Sequence, residues 1–430
     1  MILRILLAPF FRYIAPIFSQ KIAERIEFEL KNWVQVPVLK DADYGFEISS
    51  EGELEQIKIV LLEVLRQGKN VELIFCSPSV ESQCKDLLET YPTQLRVYRL
   101  PIFCFNPFSS IANPMKWMRC KTFVMCRYDF FPELIKYGSS KAQKFVLLAG
   151  SLKNYDQKNH IVKKYLKEAY KTFDQIVAVT EEDRDKFETY FEIDPIKLQV
   201  YDFRILQIMN RLDHKEEKIQ SKLATSKILL AYIDSISGQK VLFGSYWKEE
   251  FGIFKKSIKD FLQNKTQVFI APHQLDQHNL ELIKKDFTQA GLLVFEIHSL
   301  TTEEELSKMI TDSQTQQGVW LLNVKGILCE LYSYFDFAYV GGGFGTSIHS
   351  VLEPFIAGAV VFCGPKVGRS TEYSLIKESN PDRLYKISKK GLVLEKIISI
   401  NPDILSKTDH FKDHYKGHKD IVFKWLGLQG

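Results

Sequence analysis

Paired cysteines, charge of one sign and long apolar runs are what this sequence is short of, and each shortage removes a class of function. Its seven cysteines (Cys76, Cys84, Cys104, Cys120, Cys126, Cys329 and Cys363) form no Cys-x-x-Cys pair and lie mostly in apolar stretches. That pattern argues against a zinc site or a disulfide framework and for reduced thiols in a core. The net charge is only +4 over 430 residues, with lysine and arginine spread along the chain, so nothing points to a nucleic-acid partner. No internal repeat, long low-complexity tract or coiled-coil heptad occurs. The N-terminal MILRILLAPFFRYIAPIFSQ is almost wholly apolar, yet Arg4, Pro9, Arg12 and Pro16 interrupt it and its longest uncharged run is eight residues. A bilayer span needs about 20 apolar residues. The segment also lacks the small-residue cleavage pattern of a signal peptide and carries proline in its apolar region. Residues 1–20 therefore read as an anchor lying in the membrane interface, arginines at headgroup level.

What is present is the composition of a globular protein, 45% apolar and 26% charged, long enough for two domains. Strand-like runs alternate with amphipathic segments. They fall at Tyr44–Ile48, Val71–Phe75, Leu95–Arg99, Thr122–Met125, Phe145–Leu148 and Gln175–Val179, then at Ile228–Tyr232, Gln267–Ile270, Leu293–Glu296, Gly318–Leu322, Phe337–Val340 and Val360–Cys363. This alternation predicts an α/β protein of two Rossmann-like, doubly wound domains facing a cleft, at 21–207 and 208–405, with a helical segment at 406–430. The charged stretch RLDHKEEKIQSKLATSK (211–227) reads as the linker. His410, His414 and His418, four apart among lysines and aspartates, read as a solvated helix face, and no metal site is expected.

Residues 336–365, DFAYVGGGFGTSIHSVLEPFIAGAVVFCGP, put four glycines in five positions between two apolar runs. Gly341, Gly342, Gly343 and Gly345 let the backbone take φ > 0 and approach a ligand. Thr346 or Ser347 reads as an N-cap, and Ile348, Val351, Leu352 and Phe355 recur at helical spacing up to Gly358. Free N–H groups at such a helix start would face an anion. No Lys-Ser or Lys-Thr pair follows the glycines, so this is not a P-loop, and Thr346 breaks the Gly-x-Gly-x-x-Gly spacing. His349 and Glu353 would share one face of the helix's first two turns, where a polar ligand could be met.

Other loops carry similar chemistry. In FEISSEGELEQIKIVLLEVL (46–65), a Ser-Ser-Glu-Gly-Glu turn between strand and helix places Glu51 and Glu53 where the helix dipole favours the carboxylate; either could act as a base, or both could be ordinary first-turn acids. Gly244-Ser245 in VLFGSYWKEE (241–250) reads as a turn before a helix. Pro272, His273 and Gln274 follow a strand in FIAPHQLDQHN (269–279), and Lys325-Gly326 forms a strand-to-helix turn in LLNVKGILCELYSYFD (321–336). The four loops of the second domain, the glycine loop included, would all open on one sheet edge, as a bound sugar nucleotide would require.

The order and spacing of these blocks resemble the Kdo transferases, the 3-deoxy-D-manno-octulosonic acid transferases that add Kdo from CMP-Kdo to lipid A precursor. The resemblance covers nearly all of residues 1–375, through SSEGE, RYDFFP (127–132), TEEDRDKF (180–187), YDFR (201–204), FGSYWKEE, APHQ, NVKG and GGGFG…H…LEP…CGP. It implies a GT-B architecture, an inverting glycosyl transfer and no metal or cofactor beyond the donor substrate CMP-Kdo. Glu53 matches the family's catalytic base, and Arg204 a basic residue that stabilises the transition state. Pro272 and His273 match a Pro-Arg pair contacting the CMP. Lys325, Gly326 and Ile327 match a second nucleotide-contacting turn whose third position is usually Glu. Ser350, Val351, Leu352 and Glu353 match an Asn-x-Leu-Glu element, Ser350 replacing Asn.

The chain departs from the pattern at Arg127, where the family has a Glu assigned to stabilising the transition state; Asp129, two residues on, could partly substitute. The resulting expectation is a metal-independent Kdo transferase on the cytoplasmic side of the inner membrane, acting on CMP-Kdo and lipid IVA. A GT-B enzyme using a UDP-sugar and a family member that binds without turnover are the alternatives. The acceptor's chains would stay in the bilayer, so PIFCFNPFSSIANPMKWMRCK (101–121) is expected to present Phe103, Phe105, Phe108 and Trp117 with Lys116, Arg119 and Lys121 to the membrane, beside residues 1–20; the alternatives are a buried loop packing the first domain and a core-packed N-terminal helix.

Overall fold

Short, wholly apolar runs between polar turns can bury both faces only in a parallel sheet covered by helices, and both halves of the chain are built that way. The computed structural model describes residues 7–33, 41–127, 130–152, 155, 158–345, 347–368, 370–387 and 409–428. Two units form, Met1–Gln207 with Lys419–Gly430 and Ile208–His418.

The first unit's seven strands are β1 (Ala42–Ile48), β2 (Val71–Phe75), β3 (Leu95–Arg99), β4 (Cys120–Cys126), β5 (Lys144–Gly150), β6 (Gln175–Ala178) and β7 (Leu198–Val200). All pairs are parallel, in the order β3-β2-β1-β4-β5-β6-β7. The chain winds outward from β1 and then restarts at β4 on the other side, so β1 and β4 flank the switch point where doubly wound sheets bind ligands. Phe123, Phe145 and Phe173 stack in the core, with ring centroids 5.5 and 4.1 Å apart.

The second unit's strands are β8 (Lys240–Tyr246), β9 (Gln267–Pro272), β10 (Leu293–His298), β11 (Gly318–Asn323), β12 (Phe337–Val340), β13 (Val360–Cys363) and β14 (Leu384–Lys386), in the order β10-β11-β9-β8-β12-β13-β14. They too are all parallel. The switch point lies between β8 and β12. The seven cysteines are free and buried.

Three expectations fail here. Ile228–Tyr232 lies in a helix, Ser226–Ser235, which buries Leu229 and Ile233 four residues apart. The apolar run is too short to separate strand from helix by itself. The neighbouring KVLFGSY is the strand, so Gly244 and Ser245 sit inside β8. There the register with β9 shifts between Phe243 and Tyr246, and Ser245 takes a left-handed φ of 47°. The stretch 211–227 is no open linker. It is the end of helix Phe203–Asp213, helix Lys215–Gln220 and the start of Ser226–Ser235, and it buries Ile219 and Leu223 in the second unit's core.

Backbone contact between the loops after β8, β12 and β13 sets the second unit's tolerance for side chains. Gly341 N donates to Gly244 O at 2.9 Å, and a Cβ on Gly341 would lie 2.1 Å from Ser245 O. Gly343 meets Gly364 backbone to backbone, a Cβ there falling 2.7 Å from Gly364 Cα. At Gly345 the nearest atom to a Cβ is 3.5 Å away. Gly341→Ala and Gly343→Ala should therefore each cost about 1–3 kcal/mol as overpacking, whereas Gly345→Ala should change stability by less than about 0.5 kcal/mol. Urea unfolding of the three variants measures this, and a Gly341→Ala midpoint equal to wild type would contradict it.

Candidate active site

At the first switch point the turn after β1 leads into helix Glu51–Arg66, N-capped by Ser50, whose Oγ accepts from Glu53 N at 3.3 Å. Glu53 Oε2 reaches back and accepts from Ser49 N at 2.6 Å, which holds the side chain over the loop. Glu53 is buried, whereas Glu51 is exposed. Across the switch point, Arg127 ends β4 with a left-handed φ of 58°. Its N–H donates to Leu148 O at 3.2 Å and its Nε to Gln56 Oε1, one turn beyond Glu53, at 2.8 Å. Cys126, wholly buried, reports on the neighbourhood. Burial pushes its thiol far up, Glu53 and Glu47 push the same way, and Arg127 and Arg204 oppose them. Glu53, Arg127 and Arg204 therefore share one electrostatic environment at this edge. Arg204 is held by Asp202, Nε–Oδ1 2.9 Å and Nη2–Oδ2 2.5 Å. Asp129 lies outside the described residues. Gln56 and Cys126 were not singled out in the sequence; only the fold brings them beside Glu53.

The glycine loop of the second unit differs from its sequence reading. Of its glycines only Gly342 has positive φ, 96°. Its N–H is not open to an external anion: it donates to Glu250 Oε1 at 2.9 Å, and the same oxygen accepts from Tyr339 Oη at 2.7 Å. Glu250 Oε2 accepts from Trp247 N at 3.2 Å. Burial raises the pKa of Glu250 although these bonds oppose the shift. Nor does a helix run from 347 to 358; it spans only Leu352–Ile356. Pro354 explains the late start, because an earlier one would set its ring against the carbonyl of Ser350. The N–H groups of Val351 and Leu352 and the Ser350 hydroxyl all donate to Glu372 Oε2, at 3.0, 3.2 and 2.9 Å. His349 therefore precedes the helix and shares no helical face with Glu353.

His349 is instead part of a stack of rings. Trp247 follows β8, His273 follows β9 and His349 follows the glycine loop. Trp247 and His273 lie 4.5 Å apart and His273 and His349 4.2 Å apart. Trp247 Nε1 donates to His349 Nε2 at 3.1 Å, and because indole only donates, His349 carries its proton on Nδ1. Burial and then His273 lower the pKa of His349 to about 4; burial also lowers that of His273. Both rings are neutral near pH 7, so His273 does not reproduce the charge of an arginine.

Pro272 closes β9, and Gln274 is exposed beyond it. Lys325 and Gly326 are exposed after β11, Gly326 with φ 86°, while Ile327 is buried. Because the strands are parallel, these residues, Gly244, Ser245 and the ring stack share the C-terminal edge of one sheet. Glu353 is paired with Arg211 at 3.4 Å, and Arg211 also binds the buried Glu330 at 2.9 and 3.1 Å.

Near the N-terminus, Phe10, Tyr13, Ile14, Ile17 and Phe18 recur at helical spacing and are exposed, Ile17 by 76% and Phe18 by 82%. Phe11, between them, stacks on Phe103 at 5.1 Å. Of the 101–121 aromatics, Phe105 and Trp117 are core residues and Phe108 is exposed, with Lys116, Arg119 and Lys121 also exposed. The membrane-facing expectation thus fails at Phe105 and Trp117, because the segment folds back onto β3 and β4. No helix among the described residues is long and apolar enough to cross a membrane.

Residues 21–200 match the family model described as 3-deoxy-D-manno-octulosonic-acid transferase (kdotransferase), so the resemblance read in the sequence is borne out over the first unit. Comparison with curated proteins returned no match. Among solved structures, UDP-GlcNAc 2-epimerase from Neisseria meningitidis bound to UDP-GlcNAc superposes with a TM-score of 0.55 at 12% identity, over 89% of this chain and 99% of that one. A glycosyltransferase from Rickettsia africae ESF-5 gives 0.51 at 12% identity, over 90% and 99%. The C-terminal CMP-Kdo binding domain of WaaA from Acinetobacter baumannii, at 12% identity over 50% and 98%, reaches only 0.32, too low to carry an argument. The first two show the fold, two Rossmann-like units of GT-B type.

The ring stack predicts a pH dependence. The pKa of His349 falls from an ordinary 6.5 to about 4 on folding. Above 6.5 the ring is neutral in both states; between 6.5 and about 4 the unfolded chain binds a proton that the folded one excludes, so stability falls as pH drops through that window. Protonation of Nε2 would also remove the acceptor of the Trp247 bond. In urea unfolding, wild type should lose more stability from pH 7 to about pH 4.5 than His349→Gln does. Parallel losses would contradict the assignment.

Proposed function

We propose that this chain is a metal-independent, inverting glycosyltransferase that moves Kdo from CMP-Kdo to a lipid A precursor at a membrane surface. The observation that carries the reading is that Glu53, Arg127 and Arg204 share the switch-point edge of the unit matched by the kdotransferase model. Glu53 takes the proton from an acceptor hydroxyl as its oxygen bonds the anomeric carbon of Kdo. The bond from that carbon to the CMP phosphate breaks on the opposite side, and the phosphate leaves with the electron pair. Arg204 offsets charge during transfer, and Lys325, exposed after β11, meets the phosphate. The stacked Trp247, His273 and His349 offer flat, uncharged faces to the nucleoside. A single leaving phosphate needs less neutralisation than a diphosphate, so EDTA should leave the rate unchanged.

Arg127 favours a second reading, binding without turnover. Gln56 fixes a guanidinium at the position of the family's carboxylate. CMP release from CMP-Kdo and lipid IVA by purified protein separates the two: none above a heat-killed control, with CMP-Kdo still bound, leaves the binder.

Glu53 has a structural bond as well as the proposed chemical role, and two variants part them. Glu53→Gln keeps an oxygen for Ser49 N–H and should fold like wild type, yet transfer should fall by about 10²–10⁴. Glu53→Ala should lose the same activity and about 0.5–2 kcal/mol besides. CMP-Kdo affinity should stay within a few-fold in both. Transfer by Glu53→Gln at the wild-type rate would show that another group is the base.

We further propose that the row from Phe10 to Phe18 lies in the membrane interface, on the cytoplasmic face of the inner membrane. Ile17→Asp with Phe18→Asp should release the protein from anionic vesicles and slow transfer to vesicle-embedded acceptor more than to detergent-solubilised acceptor. Equal slowing on both would assign the segment to the fold.

A further inference from the structure

The first unit contains a cavity of about 340 Å³ that the roles assigned above leave unused. It opens beside the loops after β4 and β5, one strand from the switch point. Its walls are Phe130 and Leu152 from those loops and Val162, Leu166 and Tyr170 from helix His160–Lys171, with Lys158 at the mouth. The aromatic floor is fixed. Phe130 and Tyr170 meet edge to face at 5.0 Å, and Tyr165 Oη donates to Phe130 O at 2.7 Å, tying the β4 loop to the helix. Protein interiors are close-packed, and a rigid apolar cavity of this size at a sheet's ligand-binding edge falls within the range of ligand pockets.

The rim indicates the ligand's other end. Lys158 and Lys164 are exposed and Lys163 lies over the Tyr155 ring at 5.4 Å, whereas Lys167 and Lys171, further along the same helix, pair with Glu192 at 3.4 and 3.0 Å. Ile161 stands 81% exposed among them. An apolar chamber behind a cationic, partly apolar rim complements an unbranched hydrocarbon chain attached to an anionic head.

We infer that this cavity holds one acyl chain of the acceptor, with the rim lysines against the acceptor's anionic headgroup. The inference rests on the proposed reading of the acceptor as an anionic acylated lipid. An acyl chain seated here anchors the acceptor one strand from Glu53, so acylation should affect KM more than kcat.

The test has a binding arm and a kinetic arm, both on the full chain. By calorimetry, dodecyl phosphate below its micellar concentration should bind the wild type at one site. Val162→Trp and Leu166→Trp, which fill the cavity, should weaken that binding at least tenfold, and Lys158→Glu, at an exposed position that cannot disturb the core, several-fold. Inorganic phosphate should not compete. Wild-type affinity in Lys158→Glu and in whichever cavity variants keep the wild-type unfolding midpoint would overturn the inference. In the kinetic arm, the wild type should show a lower KM for acylated than for fully deacylated acceptor, and Val162→Trp should abolish the difference with kcat little changed. Transfer that proceeds with the difference intact in Val162→Trp overturns the acyl site and leaves the transferase reading standing. If neither acceptor supports transfer, the transferase reading fails, and dodecyl phosphate binding still decides what the cavity holds.

Discussion

Carboxylates that accept backbone N–H bonds hold the loops of both units in place. Glu250 binds Gly342 N, Glu372 binds Val351 and Leu352 N, and Glu53 binds Ser49 N. On other loops of the first unit, Glu29 binds Phe103 and Cys104 N, and Asp183 binds Leu152 N. A carboxylate removed from water is costly unless its oxygens are satisfied, and an N–H at a tight turn lacks a partner within its own element. Each solves the other's problem through a charge-assisted bond. The loops are therefore fixed by side chains distant in sequence, and their rigidity does not wait for a ligand.

That constraint changes where an external anion can bind. In the second unit the N–H groups of Gly342, Val351 and Leu352 are already taken by Glu250 and Glu372. The Lys366 ammonium, next to the loop, is used on Gly345 O. What faces outward is the Trp247, His273 and His349 stack, neutral near pH 7, with Lys325 on the turn after β11. On the proposed reading the base and sugar are recognised by ring faces, and the phosphate by few cations. His273 in the place of an arginine is consistent with that balance, since a guanidinium would add a charge where this chain keeps stacked rings.

Much of the fold was legible because it rests on local patterns. The runs at Tyr44–Ile48, Val71–Phe75 and Phe337–Val340 are strands at those bounds or within two residues of them, since short runs rich in β-branched and aromatic residues between turn residues favour a strand. The failures came where tertiary contact decided. ILLAYI and VLFGSY are both short apolar runs. The second is the strand, where Gly244 lies under the Tyr332 ring and a Cβ would fall 1.9 Å from its hydroxyl; the first is a helix that buries Leu229 and Ile233 fully and packs Ile228, Leu230 and Tyr232 partly against the core. In the candidate site, Glu53 was visible from its turn and from the family pattern. Gln56, Glu250 and Glu372 were not, because what identifies them is the partner they hold, the Arg127 side chain for Gln56 and backbone from 20 to 92 residues away for the two glutamates of the second unit.

The two switch points share a further feature that ties loop geometry to chemistry. Arg127 at the end of β4 and Ser245 in the bulge of β8 are not glycines, yet both have left-handed φ, 58° and 47°. Each such residue costs about 1–2 kcal/mol relative to ordinary backbone. Such a conformation persists only where the surroundings determine it. At Arg127 they do so through Leu148 O on the next strand and Gln56 on the facing helix. At Ser245, Gly341 closes against its carbonyl, a contact that any larger residue would prevent. The strain turns the chain abruptly at the one edge where the strand order reverses. Trp247, two residues beyond Ser245, thereby leaves the strand and stacks on His273. Glycine at Gly341 is accordingly a requirement of Ser245, and one of the four glycines of the loop is there as clearance for a strained neighbour.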